Sequence, residues 1–341
     1  MMRLVLGALL CAWSMAAPAD DMDLFRKLTA SVLKVEAQNG DGSVSLGTGV
    51  VVGPGMVVTN CHVTRSARTI ELVKGAQRRV VESQQSNVEH DLCLLHSPQV
   101  QDDPVVAIRH DRPRVGQPVY AVGFVLGIAP RLNAGEINAV YDYDDGRIIE
   151  TDAAFTSGAS GGGLFDPDGR LVGIVTFRSR GGDAHHFCLP VRWVTQELER
   201  FDGRPVAPMT GTPFWQRPRE AQPYFLRAAT LEAERNWTEL AAVARQWSFA
   251  ESGNPTSWFI LGNAYARLQE RPHAIEAYES AVAIEADFAE AWYGLGVAYA
   301  DSGKPAEVER VRLVLLRLDP RLAQKLAQHT GACREGVTTA C

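Results

Sequence analysis

The chain has no excess of basic charge: 34 Lys and Arg stand against 40 Asp and Glu over 341 residues, a formal net charge of −6. Neutralising a phosphate backbone takes clustered Lys and Arg, so nucleic acid is excluded as the main partner. The chain also lacks an apolar run of membrane-spanning length. A transmembrane helix needs about 20 consecutive apolar residues, and the one marked stretch, Leu4 to Met15, is shorter. No Cys-x-x-Cys or His-x-x-x-His spacing occurs, which removes the common zinc arrangements. Gly47-Thr48-Gly49 precedes no helical pattern and is no dinucleotide loop. The run from Asp142 to Gly146 lacks calcium-loop spacing and reads as a hairpin turn. No metal and no cofactor is expected. What remains is ordinary globular composition, 46% hydrophobic and 22% charged, which excludes wholesale disorder and, at this length, suggests about two domains.

Met1-Met2-Arg3, the apolar stretch after it and Ala17-Pro18-Ala19 have the order of a secretory signal peptide over residues 1–19. Leu10 is too large for the position before a lipoprotein cysteine, so Cys11 is not expected to carry lipid. The expectation is an exported protein, periplasmic or secreted, with no membrane span once the signal is removed. Export bears on the remaining cysteines, because disulfides persist in oxidising compartments. Cys333 and Cys341 are close enough for a local bridge. Cys61 and Cys93 either pair across a core or stay as buried thiols.

Two halves follow different periods. From about 29 to 195, short apolar or β-branched runs (48–52, 56–60, 92–96, 119–123, 171–177, 186–190) alternate with Gly, Pro and Asp turns. That pattern predicts an all-β barrel or sandwich over 20–201, closed by a helix at 191–200. Residues 202–220, rich in Pro and Gly, read as an extended linker. Beyond it, Trp258, Leu261, Gly262 and Tyr265 recur 34 residues later as Trp292, Leu295, Gly296 and Tyr299. A 34-residue period with Trp-x-x-Leu-Gly-x-x-Tyr resembles the tetratricopeptide (TPR) repeat, a stacked helix pair. The region 221–341 therefore divides into a degenerate copy at 221–254, copies at 255–288 and 289–322, and a C-terminal cap. Arg312, where an aromatic is expected, suits a polar outer face.

The chemistry sits in three stretches: Thr59-Asn60-Cys61-His62-Val63, His90-Asp91-Leu92-Cys93-Leu94-Leu95, and Thr151-Asp152-Ala153-Ala154-Phe155-Thr156-Ser157-Gly158-Ala159-Ser160-Gly161-Gly162-Gly163-Leu164. A serine hydroxyl is a weak nucleophile and needs a base, and the base needs an orienting acceptor. His62 suits the base, Asp91 the orienter and Ser160 the nucleophile. The glycines allow a tight turn that turns the amides of Gly158 and Ser160 towards a developing oxyanion. Gly158-Ala159-Ser160-Gly161-Gly162 also fits the α/β-hydrolase elbow. There the serine opens a helix, whereas a strand–turn–strand pattern around Asp166-Pro167-Asp168-Gly169 follows here.

These motifs resemble those of the chymotrypsin-like serine proteases, most closely the HtrA/Deg-type branch, over residues 30–195. The resemblance implies two six-stranded β-barrels with the active site between them, and a serine endopeptidase acting through an acyl-enzyme. It also implies a specificity pocket with Ala154 at its base and Phe155 and Phe177 beside it, without an acid to favour Lys or Arg. The strand carrying Thr176, Phe177 and Arg178 would pair with an extended peptide, and Thr176 would support Asp91. The sequence departs from the branch at Ala159, before the serine, and in Phe155-Thr156-Ser157. Repeats stand where a PDZ domain would follow. They imply a protein or peptide partner, or self-association. A catalytically silent scaffold acting through the repeats is the alternative, and it would need none of the three triad side chains.

Overall fold

The computed structural model describes residues 19–178 and 185–331. The expected signal peptide (but for Ala19), Ser179, the turn at Gly181-Gly182-Asp183 and the pair Cys333/Cys341 lie outside the described residues. Helix α1 (Ala19–Ala30) leads into β1 (Val32–Asn39), β2 (Val44–Gly53) and β3 (Met56–Asn60). The single turn α2 (Cys61–Thr64), β4 (Ala67–Lys74), β5 (Gln77–Val80), β6 (Ser83–Asn87) and β7 (Leu92–His96) follow. The second unit comprises β8 (Pro118–Val125), β9 (Ala129–Tyr143), β10 (Gly146–Thr151), β11 (Gly163–Phe165), β12 (Leu171–Arg178) and β13 (His186–Pro190), with α3 (Val191–Glu199) behind it.

The second unit is a closed barrel in the order β10-β13-β12-β11-β8-β9, antiparallel throughout. Strand β12 is buried from Leu171 to Phe177 without a break, because both its faces are covered. Val172 and Val175 belong to one cluster with Val119, Ile137, Ile149 and Leu164. Ile174 and Phe177 belong to another, with residues of the first sheet and of the helices. A strand covered on both faces reads as a continuous apolar run rather than an alternating one, as this one does. The first unit has the expected strands in a different closure. Its eight-stranded sheet runs β14-β6-β7-β3-β2-β1-β4-β5, where β14 (Arg204–Pro205) comes from the linker. At the corner between β5 and β6, the Val81 amide donates to Ile70 O and the Glu82 amide to His96 O. Strands β5 and β6 therefore do not pair, and β6 gives its free edge to the linker.

The linker is extended, as its prolines dictate, but it is pinned along its length. Gln84 Nε2 donates to Ala207 O at 2.8 Å and the Met209 amide to Arg65 O at 2.8 Å. Arg65 bonds the Gly211 carbonyl, and the Phe214 amide donates to Glu89 O at 3.1 Å. Proline leaves few backbone donors, and here those of Met209 and Phe214 find carbonyls just after α2 and between β6 and β7.

Seven helices follow among the described residues: α4 (Tyr224–Ala233), α5 (Trp237–Ala250), α6 (Pro255–Arg267), α7 (Arg271–Ile284), α8 (Ala289–Asp301), α9 (Pro305–Leu318) and α10 (Pro320–His329). They form three consecutive pairs and a cap. The tight spacing within a pair is visible at Gly262, where any side chain would strike the Tyr278 ring. Arg312 pairs with Glu309 at 2.7 Å, and α10 closes the stack with Ala323 and Leu326 buried. The first pair is fused to the barrel rather than tethered to it. Phe225 of α4 packs on Tyr141, Tyr143 and Phe187 of the barrel and on Phe214 of the linker, with ring centroids 5.0–6.4 Å apart across this group.

The same interface holds a like-charge pair. Glu150 of β10 is buried, accepting from Tyr141 Oη at 2.8 Å and pairing with His185 Nδ1 at 2.5 Å. Burial first, and then the Glu150 carboxylate facing it, hold the Glu232 carboxyl of α4 above the ordinary glutamate range. A carboxyl raised in the folded state opposes folding wherever the unfolded chain is ionised, and ceases to do so once pH falls below the unfolded value. Glu232→Gln is therefore expected to raise the thermal midpoint at pH 7, with the gain fading as the pH is lowered through the glutamate range. A calorimetric series across pH measures this.

Candidate active site

Three chain segments meet at the seam between sheet and barrel. His62 lies on α2, immediately after β3, and Asp91 immediately precedes β7, which pairs with β3 through Asn60↔Leu92 and Thr59↔Cys93. Strand pairing alone thus brings the imidazole and the carboxylate together. His62 Nδ1 lies 2.6 Å from Asp91 Oδ2, and the His62 amide donates to Asp91 Oδ1 at 2.8 Å. Asp91 is fully buried and the His62 side chain is 23% exposed, so the ring is held on one side and open on the other. With the Nδ1 proton shared with the carboxylate, Nε2 is left to accept one.

Asp91 adopts φ 57°, in the left-handed region where Asp is among the better-tolerated residues. Its own carbonyl accepts from the Cys61 amide at 3.2 Å and from Asn60 Nδ2 at 3.0 Å. A disulfide joins Cys61 to Cys93 with Cα atoms 4.9 Å apart. Of the two alternatives that the sequence leaves open, the structure has the pair. The bridge therefore ties the residue before His62 to a residue two beyond Asp91.

Ser160 stands in the loop before β11. Gly158 (φ 93°) and Gly161 (φ 85°) take conformations that L side chains rarely adopt. A side chain at 161 would also run into the Thr48 carbonyl and the Thr59 hydroxyl. Thr48 fixes this loop from the opposite unit: its amide donates to Ser160 O at 2.8 Å and its hydroxyl to Gly158 O at 2.7 Å, while accepting from the Phe124 amide. The amides of Ala159 and Gly161 are committed to Thr156 O and Val175 O. Those of Gly158 and Ser160, the expected oxyanion donors, have no acceptor among the described residues. The Ser160 hydroxyl donates to Thr176 O at 3.3 Å. Ala159 is buried with its Cα against Gly123, so the departure from the branch at this position leaves a packed loop.

The expected substrate-side residues divide. Ala154 is exposed, and its carbonyl accepts from Asn133 Nδ2 at 2.6 Å. Phe155 is buried edge-on to His186, ring centroids 4.7 Å apart. Burial holds the His186 imidazole below the ordinary histidine value, which favours its uncharged form at neutral pH. Phe177 and Arg178 pair with β13 through Phe187 and His186, with Phe177 buried and Arg178 exposed. Thr176 departs from its expected support of Asp91. Its single hydroxyl proton goes to Ile174 O at 2.8 Å, and its oxygen accepts from Asn60 Nδ2 at 3.1 Å. A hydroxyl has one proton to give, so none is left for Asp91.

The donor to Asp91 comes instead from Trp215, in the linker: its Nε1 lies 3.0 Å from Asp91 Oδ2. Sequence reasoning passed over Trp215 because it lies among prolines and outside both periodic halves. The available signal was the pair Phe214-Trp215, two large aromatics in a stretch otherwise read as an extended linker.

Residues 47–174 match the family model described as a trypsin-like peptidase domain, and residues 262–303 one described as a TPR repeat. The chain is 34% identical over 144 residues to the magnetosome formation protease MamE of Magnetospirillum gryphiswaldense, covering 39% of this chain and 19% of that protein. It is 28% identical over 196 residues to serine protease HTR4 of Rattus norvegicus, covering 54% and 38%. With a probable periplasmic serine endoprotease, DegP-like, of Pseudomonas fulva it shares 32% over 163 residues, covering 43% and 33%. The chain thus spans 19–38% of the length of these relatives. Among solved structures, the active form of the Rv3671c protease of M. tuberculosis has a TM-score of 0.52 at 18% identity, over 62% of this chain and 98% of that one. That likeness concerns the fold.

The Cys61–Cys93 bridge closes a loop of 32 residues, for which the chain-entropy account gives about 4 kcal/mol of stabilisation. Replacing both cysteines by Ala is expected to lower the unfolding free energy by about 3–4 kcal/mol, read from urea denaturation of the oxidised protein beside the double variant.

Proposed function

We propose that this chain, a trypsin-like peptidase domain with HtrA-type relatives followed by TPR repeats, is an exported serine endopeptidase. The observation that carries the reading is the 2.6 Å contact between His62 Nδ1 and buried Asp91, with Ser160 on the same seam in a loop that keeps two amides unpaired. In this reading His62 Nε2 takes the Ser160 proton as the hydroxyl oxygen attacks a peptide carbonyl. The tetrahedral oxyanion accepts from the Gly158 and Ser160 amides. The proton then passes to the leaving amine, and water, activated by the same imidazole, releases the acyl group. Asp91 stays ionised throughout and stabilises the imidazolium.

Phe155 and neutral His186 favour an aliphatic side chain before the cut, beside Ala154, while the ring of Phe177 is enclosed by Phe187, Phe214 and Trp215. The edge of β12 that β11 leaves unpaired at Thr176–Arg178 would take an extended peptide by β-augmentation. The TPR region, as stacked helix pairs, suits recognition of a protein or peptide partner. Export is supported by the order of residues 1–19 and by the disulfide beside the site, since such bridges persist outside reducing compartments. No helix among the described residues is long and apolar enough to cross a membrane.

One observation favours a latent form as a second reading: the resting Ser160 hydroxyl donates to Thr176 O, so a rotation about its side chain must precede attack.

A fluorophosphonate probe applied to the mature protein, with Ser160→Ala and His62→Ala beside it, tests the proposal. Labelling is expected in the wild type alone, and each substitution should lower peptide hydrolysis by about 10⁴-fold or more. Labelling that survives Ser160→Ala, or a folded wild type that never reacts, contradicts it.

A further inference from the structure

The indole of Trp215 touches three parts of the site at once. Its N–H donates to Asp91 Oδ2 at 3.0 Å, its ring lies edge to face with His62 at 5.6 Å and 83°, and it stacks on Phe177 at 4.9 Å and 5°. Neither of the neighbouring polar side chains, Thr176 and Asn60, donates to that oxygen. The Thr176 hydroxyl is spent on Ile174 O, and Asn60 Nδ2 is shared between Asp91 O and Thr176 Oγ1. Without the indole, Oδ2 of a fully buried carboxylate would keep His62 as its single donor. Hydrogen bonds to charged groups in buried settings are the strong ones, and leaving a charge short of partners is costly.

Trp215 is held in place from both domains. On the sheet side the Phe214 amide donates to Glu89 O, and Arg217 pairs with the Glu89 carboxylate. On the helical side Gln222 Nε2 donates to Trp215 O and to Arg217 O, both at 3.0 Å. Phe214, fully buried, packs on Phe225 of α4, the ring centroids 6.1 Å apart and the planes tilted by 54°. The place of the indole thus depends on the docking of the repeat domain.

We infer that Trp215, although outside the peptidase fold, is a positioning residue for the triad: it fixes Asp91 and His62 in register and makes their geometry depend on the seating of the repeats. The inference rests on the serine-protease reading. Trp215→Phe keeps an aromatic ring at this position and removes the N–H together with part of the indole. A lost bond to a charged acceptor predicts a fall in kcat of about 10-fold or more, with KM within about twofold of wild type on the same scale. Fluorophosphonate labelling slows in parallel, and the low-field proton resonance of the His62–Asp91 hydrogen bond shifts or broadens. Near-UV circular dichroism checks the fold. Wild-type rates and resonance in Trp215→Phe overturn the inference, since packing alone would then suffice. Faster labelling overturns it too, because the indole would then be a cover. Should that variant not fold, Gln222→Ala, which frees the strap without touching the triad, carries the test: slower labelling is expected and an unchanged rate overturns the inference. A folded wild type that does not label overturns the protease reading itself, whereas a reactive wild type beside an equally reactive Trp215→Phe overturns only the role of Trp215.

Discussion

A single buried carboxylate organises the middle of this protein. Asp91 has no solvent contact, so its charge and its carbonyl must be satisfied from within, and each of its three oxygens has a donor. Five donors from two chain segments do this: the His62 ring and amide, the Cys61 amide and the Asn60 side chain at the end of β3, and the Trp215 indole from the linker. A positive φ at a non-glycine residue costs on the order of 1–3 kcal/mol and persists only where the surroundings over-determine it. Here the β3–β7 ladder, the Cys61–Cys93 bridge and this donor set do so. The imidazole inherits its orientation from an anchor that has no alternative arrangement.

The linker is the second consequence. A Pro-rich segment between a barrel and a helical stack would ordinarily leave the two free to move. This one joins the sheet as an edge strand, crosses beside the disulfide and carries Phe214 and Trp215, one ring in the interdomain core and the other against Asp91 and His62. The helical region is therefore continuous with the barrel core through Tyr141, Tyr143, Phe187, Phe214 and Phe225, and the candidate site is touched by Trp215, outside the residues 47–174 that match the peptidase model.

Much of this was legible in the sequence, and the limits have physical causes. Residue runs that had to bury themselves were read within a residue or two, such as 171–177 against β12 and 56–60 against β3, because apolar periodicity survives any context. The repeat pairs were legible because Trp258 and Trp292, with Gly262 and Gly296, mark close helix contacts at a fixed spacing. The closeness of His62 and Asp91 followed from short motifs. What the motifs could not carry was competition for a donor: Thr176 was expected to support Asp91, yet its one proton goes to Ile174 O. Closure of the first sheet and the path of the linker were likewise invisible, since both depend on which edge is left unpaired once the chain has folded.

Hydrogen–deuterium exchange of residues 204–217 in the full-length protein tests most directly whether the linker is a fixed part of the candidate site. Protection of the Met209 and Phe214 amides comparable to that of the β6–β7 ladder is the result this account predicts. Exchange at the rate of an unstructured chain would contradict it, because Trp215 could not then hold Asp91.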